Sequence, residues 1–169
     1  HLVWPRLFKD AEGNIWAWGE HSPEFLSRRS LRGIARFRGN EVQLYPTIRG
    51  IPDMPFTALR LITASTCWVA LEGDGLYELD LSALEGRRLH DPEPDAFRYV
   101  LQMDELDGSV YVVASSHSME GRQEDAVLWR FKDGTWVRAI SQLQPVGGRP
   151  IVWTLEGVWF GTDRHGVIH

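Results

Sequence analysis

The chain has 169 residues, of which 43% are hydrophobic, and a formal net charge of −5. This acidic balance excludes general nucleic-acid binding, which needs a basic footprint, and the many aromatic residues argue against disorder. With one cysteine, Cys67, the chain can form neither an internal disulfide nor a cysteine zinc site.

Short segments rich in β-branched and aromatic residues recur along the chain and predict β-strands. In the first unit, about residues 4–50, they are residues 6–8, 15–19, 33–37 and 41–45. Residues 10–14 and 38–40 supply the Gly, Asn and Asp that tolerate the positive φ of tight hairpins. We therefore predict four antiparallel strands joined by hairpins.

The same order of segments recurs in three further units, at about residues 51–95, 96–147 and 148–169. The predicted strands are 58–62, 67–70, 75–79 and 87–90, then 99–101, 110–113, 127–131 and 135–138, then 150–153, 158–161 and 166–169. Helical signals are weak: residues 25–31 and 82–84 could form a turn or two inside loops.

The second strand of each unit carries an aromatic residue. These residues are Trp16, Trp68, Tyr111 and Trp159, separated by 52, 43 and 48 positions, which is close to the roughly 40 to 50 residues of one propeller blade. A four-stranded sheet with two apolar faces cannot stand alone, and radial stacking buries both faces. We predict an all-β fold over one domain, 1–169: a β-propeller of about four blades of four antiparallel strands, or a segment of a larger propeller. A sandwich of about fourteen strands is the alternative.

Residues 10–17, Asp-Ala-Glu-Gly-Asn-Ile-Trp-Ala, and residues 157–168 resemble the two-component regulator propeller repeat. Residues 67–80 match that repeat more loosely, and the third unit departs most, because Tyr111 replaces the Trp. Proteins with this repeat are commonly extracytoplasmic sensor regions of bacterial signalling proteins, and some bind oligosaccharides. The resemblance implies a sensing role and a periplasmic or extracellular location.

Two features of the sequence concern the membrane. No apolar run reaches the roughly 18 residues of a membrane-spanning helix, so no span is expected within this chain. The sequence begins His-Leu-Val-Trp-Pro, without a Met or a charged-then-apolar leader, and we interpret it as a piece of a longer protein.

Insertions between the second and third strands, at residues 20–32 and 115–126, distinguish units one and three from the tight turns of units two and four. Equivalent loops of successive repeats lie on one face, which is often the binding face. We therefore predict a recognition surface for a small molecule, a glycan or a protein partner, without a cofactor. Its candidate residues are Phe25, Arg28, Arg29, Arg32, His117 and Arg122. The alternative is that these loops are solvated and bind nothing.

Metal binding and acid–base catalysis are less well supported by the sequence than a recognition surface. His21, His117 and His165 follow the second strands at matching places and could ligate a divalent metal, although the loops differ in length. The acidic residues Asp10, Glu12, Asp104 and Asp107 are assigned to hairpin turns, where Asp caps backbone amides, and not to catalysis.

Several other residues are assigned to packing. Cys67 is expected to be buried and inert. Trp18, Trp129 and Trp136 could form a sugar-stacking platform, but their strand positions favour packing between sheets.

We predict a non-catalytic binding module of the sensor type. A propeller-scaffold enzyme, such as a metal-dependent lyase using His117 and His165, and a structural protein-interaction module remain alternatives.

Overall fold

The computed structural model describes residues 6–18, 33–116, 126–143, 151–154, 157–162 and 166–168. Within this part of the chain there are fifteen β-strands and no helix. The strands form four antiparallel sheets, and consecutive strands are neighbours in every sheet.

The first two sheets have four strands each. Sheet 1 contains β1 (Arg6–Lys9), β2 (Ile15–Trp18), β3 (Ile34–Arg38) and β4 (Glu41–Tyr45). Sheet 2 contains β5 (Phe56–Leu61), β6 (Thr66–Leu71), β7 (Gly75–Asp80) and β8 (Glu85–Arg88).

The third sheet also has four strands, and the fourth has three among the described residues. Sheet 3 contains β9 (Tyr99–Leu106), β10 (Ser109–Ser115), β11 (Ala126–Lys132) and β12 (Thr135–Leu143). Sheet 4 contains β13 (Ile151–Thr154), β14 (Gly157–Thr162) and β15 (Gly166–Ile168).

Tight turns of Asp and Gly join two pairs of strands in sheet 3. Asp107 and Gly108 have φ of 51° and 69°, and Asp133 and Gly134 have φ of 51° and 78°. A two-residue hairpin with both residues at positive φ matches the twist of the strands on either side, and Asp-Gly is a favoured sequence for it. The turn residues recognised in the sequence therefore set these hairpins.

Sheets 1 and 2 pack against each other through one apolar cluster. Trp16, Trp18 and Ile34 of sheet 1 meet the side of sheet 2 that carries Cys67 and Val69. The alternation of side chains along a strand places Trp16 and Trp18 on one face of sheet 1, and Cys67 and Val69 on one face of sheet 2.

Sheets 2 and 3 repeat this arrangement one step further along the chain. Trp68 and Leu76, on the other face of sheet 2, pack against Val110 and Val112 of sheet 3. The Trp68 ring lies 5.1 Å from the ring of Phe131, measured between centroids. Sheet 2 is therefore covered on both faces, as the two-sided apolar pattern of its strands requires.

The segment that connects sheets 1 and 2 runs along the outer strand of sheet 2. The backbones of Arg49 and Glu85 form an isolated parallel β-bridge. The Gly86 amide donates to the Arg49 carbonyl oxygen at 2.7 Å. Gly50 has a φ of 78°, and a Cβ there would lie 2.1 Å from the Gly86 carbonyl oxygen. Only glycine fits this approach, which covers part of an otherwise open sheet edge.

The all-β prediction and the order of the strands are confirmed. The described strands form four sheets, not the two of a sandwich. The fourth strand of unit two was predicted two residues late, since it spans Glu85–Arg88 where 87–90 was expected. Residues 82–84 form a turn, whereas residues 25–31 lie outside the described part. No helix of the described residues is long and apolar enough to cross a membrane.

Candidate functional site

A cavity lies where the first strands of sheets 1, 2 and 3 come together. Its volume is about 220 Å³. The lining side chains come from β1, β5 and β9, with one residue from β2, and are Leu7, Phe8, Trp18, Thr57, Ala58, Leu59, Arg60, Leu101, Gln102, Met103 and Asp104. Each of these first strands is an edge strand of its sheet. An edge strand presents backbone donors and acceptors that its own sheet leaves unpaired.

An ion pair between two sheets is the main charged feature of the cavity. Arg60 Nη2 of sheet 2 lies 2.6 Å from Asp104 Oδ1 of sheet 3. The same carboxylate oxygen accepts the Glu105 backbone amide at 2.9 Å. Both side chains keep access to solvent, with exposed fractions of 45% for Arg60 and 24% for Asp104. The pair thus presents charged donors and acceptors side by side.

The assignment of Asp104 to a hairpin turn was wrong. Asp104 lies inside the eight-residue strand β9, opposite Tyr111 of β10. The hairpin itself is formed by Asp107 and Gly108, because β9 extends to Leu106 where the sequence indicated an end near residue 101. A charged residue in or just after the predicted first strand of two successive units, Arg60 and then Asp104, was the signal in the sequence for this site.

The assignment of Asp10 to turn capping is confirmed. Its carboxylate accepts the Asn14 backbone amide at 2.8 Å and the indole N–H of Trp16 at 2.8 Å. Partial burial of the carboxyl raises the pKa of Asp10, but the hydrogen bonds from Trp16 and Asn14 outweigh this and hold it below its ordinary value of 3.8. Asp10 therefore orients the tryptophan that fills the junction between sheets 1 and 2.

A second polar group surrounds the tight turn between β6 and β7. The Tyr77 hydroxyl donates to Asp74 at 2.5 Å, and Arg88 lies 4.0 Å from Asp74 and 3.8 Å from Asp91. Burial, together with the hydrogen bond to Asp74, raises the pKa of Tyr77 to about 12. Burial also raises the pKa of Asp91, against the opposing effect of the Arg88 charge. This network ties the turn to the chain segment that leads into sheet 3.

The loop residues predicted as a recognition surface lie outside the described residues. They are Phe25, Arg28, Arg29, Arg32, His117 and Arg122. The histidines considered as metal ligands, His21, His117 and His165, also lie outside them. Among the residues that are described, no group of three or more His, Cys, Asp or Glu side chains could hold a metal ion.

Two arginines that follow the first insertion, Arg36 and Arg38, lie in the described part of the chain, and Arg36 has a packing role. The Arg36 guanidinium lies 5.6 Å from the centroid of the Trp16 ring and 5.8 Å from that of Tyr45, and it donates to Gln43 at 2.7 Å. This is cation–π stacking on the aromatic side of sheet 1. Arg38 is exposed.

The packing assignments of the tryptophans and the cysteine are confirmed. Trp18 and Trp129 are buried, and Trp136 packs against the cluster that contains Trp129. Cys67 is also buried, and desolvation raises the pKa of its thiol to about 12.

The fold is shared with extracellular domains of bacterial signalling proteins. One solved structure is named as the extracellular domain of the hybrid two component system BT3049 from B. thetaiotaomicron, with 12% identity and a TM-score of 0.61. Another is named as that of the one component system BT4673 from the same organism, with 14% identity and a TM-score of 0.60. The matches cover 96% and 94% of this chain, but only 19% of each of those chains.

At these identities the likeness establishes a common fold and nothing more specific. No protein-family model matches the chain, and no curated protein shows a significant match to it.

Proposed function

We propose that the four sheets are propeller-type blades and that the chain is a non-catalytic recognition module in the extracytoplasmic sensor region of a bacterial signalling protein. The observation that carries this proposal is the polar cavity at the convergence of three first strands, with the ion pair of Arg60 and Asp104 in its lining. The shared fold with two extracellular domains supports the location and the sensing role.

The packing of the sheets supports the radial arrangement. At both described junctions, the tryptophan-bearing face of one sheet meets the opposite face of the next. The first strands of sheets 2 and 3, β5 and β9, lie against each other. Sheets that repeat one packing contact and converge at their first strands are the elements of a propeller.

The chemistry of the cavity supports binding over catalysis. Its lining residues supply hydrogen-bond donors, acceptors and apolar surface. The hydroxyl of Thr57 is directed to the Ala70 carbonyl oxygen at 3.4 Å, not to a carboxylate that could activate it. A concave site with a few convergent polar groups on an apolar wall suits a small polar ligand. Small polar molecules and short glycans are therefore the ligands to test.

Substitution of the ion pair tests the site. Ligands would be found by glycan-array binding and by thermal shift with small polar solutes, and their affinities measured by calorimetry on Arg60→Gln and Asp104→Asn. We expect both substitutions to weaken a ligand of the cavity by about tenfold or more, since a hydrogen bond to a charged group contributes about 1.5–3 kcal/mol.

Arg87→Gln is the matched control for these two variants. Arg87 also pairs with a carboxylate, Glu78, at 2.7 Å, but it lies on the outer strand of sheet 2 and does not line the cavity. Its substitution should leave the affinity unchanged. Ligand binding that survives both Arg60→Gln and Asp104→Asn would contradict the assignment of the cavity as the binding site.

A protein-interaction module is the second candidate function. It is favoured by one observation, the large apolar residues that remain exposed on sheet 1, among them Leu7, Val42 and Leu44.

A further inference from the structure

The ion pair of Arg60 and Asp104 leaves binding capacity on both of its side chains. The contact uses Nη2 of Arg60 and Oδ1 of Asp104. Asp104 Oδ1 also accepts the Glu105 amide, whereas Asp104 Oδ2 has no hydrogen-bond partner among the described residues. A guanidinium carries five N–H donors in a planar fork, so one contact through Nη2 leaves most of them for another group.

The backbone holds the two charges in place. Arg60 lies opposite Trp68 in the ladder of β5 and β6, and Asp104 lies opposite Tyr111 in the ladder of β9 and β10. Charged groups on paired strands are positioned more precisely than groups on loops. Both side chains nevertheless remain open to solvent. An ion pair that is exposed in this way adds little to stability, so a ligand can engage its charges without dismantling the fold.

The nearness of the two charges restricts the charge of the ligand. A lone carboxylate bound to Arg60 would lie close to the carboxylate of Asp104, and a lone cation bound to Asp104 would lie close to the guanidinium of Arg60. Like charges at such short distances repel each other. In a ligand that carries one charge of each sign, each charge meets an opposite charge of the protein. The pair therefore favours a zwitterion over a simple anion or cation.

The size of the cavity and its wall restrict the ligand further. The cavity volume of about 220 Å³ is below the roughly 300–1,000 Å³ of pockets that hold drug-sized ligands. It suits a molecule of amino-acid size better than an oligosaccharide. Leu59, Leu101 and Met103 also line the cavity, and they offer apolar contacts to an aliphatic side chain.

We propose that the cavity binds a small zwitterion of the class of the aliphatic α-amino acids, with its carboxylate on Arg60 and its ammonium group on Asp104. One carbon atom bears both charged groups of an α-amino acid, so they are as close together as the two charges of the protein. The proposal rests on the cavity being the recognition site of the proposed function, and it narrows the class of ligand.

The first experiment removes one charge at a time from the ligand. L-leucine is titrated into the chain by calorimetry, beside leucinamide, which lacks the carboxylate, and isocaproate, which lacks the ammonium group. Weak binders are measured by competition with leucine. We expect leucine to bind at least about tenfold more tightly than either analogue, because each analogue forfeits a hydrogen-bonded charge contact. Equal affinities for the three compounds overturn the proposal.

The second experiment assigns each charge of the ligand to one residue. Arg60→Gln should weaken leucine by about tenfold or more, but it should not weaken leucinamide, which has no carboxylate to lose a partner. Asp104→Asn should weaken leucine to a similar extent and should not weaken isocaproate. A loss that is the same for leucine and both analogues would show that the substitutions only disturb the cavity, which overturns the assignment.

Arg87→Gln is the control here as well, because Arg87 pairs with Glu78 away from the cavity. This variant should bind leucine as the unaltered chain does. Circular dichroism of all variants should match that of the unaltered chain, since both members of the cavity pair keep access to solvent.

Two sugars, glucose and glucuronate, separate an error in the ligand class from an error in the site. A sugar that binds where leucine does not, and that Arg60→Gln weakens, overturns the zwitterion and leaves the cavity as the recognition site. Leucine binding that survives both Arg60→Gln and Asp104→Asn places the site elsewhere, and this overturns the proposed site together with the ligand class.

Discussion

Sheets 1 and 2 are built on the same strand order and the same alternation of apolar residues, yet they are buried to different extents. In sheet 2, Cys67 and Val69 are completely buried. At the equivalent position in sheet 1, Ile15 is 44% exposed although it is the larger side chain. The difference arises because sheet 2 has a neighbour on both faces, whereas among the described residues sheet 1 has a neighbouring sheet only on the face of Trp16 and Trp18.

The central tryptophans of the two sheets also differ in their polar contacts. Trp16 donates to Asp10 at 2.8 Å, so a turn carboxylate orients its indole. Trp68 is held by aromatic neighbours, with centroid distances of 5.1 Å to Phe131 and 5.5 Å to Trp136. In the turn that precedes Trp68, the Thr63 hydroxyl accepts the Thr66 amide at 3.1 Å and takes the capping place of the carboxylate. Trp16 has aromatic neighbours as well, since Phe8 and Tyr45 stack on it at centroid distances of 6.3 Å and 6.0 Å. The hydrogen bond to Asp10 is therefore an additional polar anchor in sheet 1.

The largest expected difference between the two sheets comes from truncating one leucine in each. Leu79 lies on the face of sheet 2 that carries Cys67, and Leu44 lies on the corresponding face of sheet 1. Leu79 of sheet 2 is fully buried, whereas Leu44 of sheet 1 is 54% exposed. We expect Leu79→Ala to lower the free energy of unfolding by about 2–5 kcal/mol, because it leaves a cavity in the core. Leu44→Ala, measured on monomeric protein, should change it by no more than about 0.5 kcal/mol. Urea denaturation measures both, and equal losses would show that both faces are covered.

The polar anchor of sheet 1 should make its stability depend on pH. The pKa of Asp10 in the fold lies below its ordinary value of 3.8, so the carboxylate stabilises the fold above that pH. This contribution is lost as the pH falls through the folded value. Asp10→Asn removes charged acceptors and should cost about 1–2 kcal/mol near neutral pH.

Denaturation over a series of acidic pH values shows whether the negative charge of Asp10, and not only the shape of its side chain, stabilises the fold. The difference between the unaltered chain and Asp10→Asn should shrink as the pH falls below about 3.8. Glu41→Gln, a change of an exposed carboxylate on β4, is the control and should follow the unaltered chain. A difference that stays constant with pH would mean that the ionised state of Asp10 does not stabilise the fold.

Thiol labelling tests the difference in exposure directly, and of the changes proposed here the substitution that it needs, Ile15→Cys, should alter the stability least. Cys67 is buried and burial raises the pKa of its thiol to about 12, so an alkylating reagent at mildly alkaline pH should not modify the folded chain. In Ile15→Cys, the equivalent position of sheet 1 carries a thiol that is open to the reagent. Mass spectrometry should find one label, at position 15. Labelling of Cys67 at a similar rate would contradict the difference in burial.

The sequence predicted much of this protein because its signals are local. Hairpin turns such as Asp107-Gly108 are recognisable from two residues, since few residues accept positive φ. The strands follow from runs of β-branched and aromatic residues between such turns, and Trp18 and Trp129 were correctly assigned to packing between sheets. The weak turn signals before β8 are the reason why its position was two residues in error.

The cavity and the burial of each sheet face depend on contacts between units that are far apart in the chain. Arg60 and Asp104 are 44 positions apart, and they meet only because β5 and β9 lie against each other. Ile15 and Cys67 occupy equivalent places in the repeat, but within the described part of the chain a neighbouring sheet covers Cys67 and none covers Ile15. Local sequence therefore determined the strands, turns and faces, whereas the stacking of the sheets decided which faces are covered and which charged groups meet.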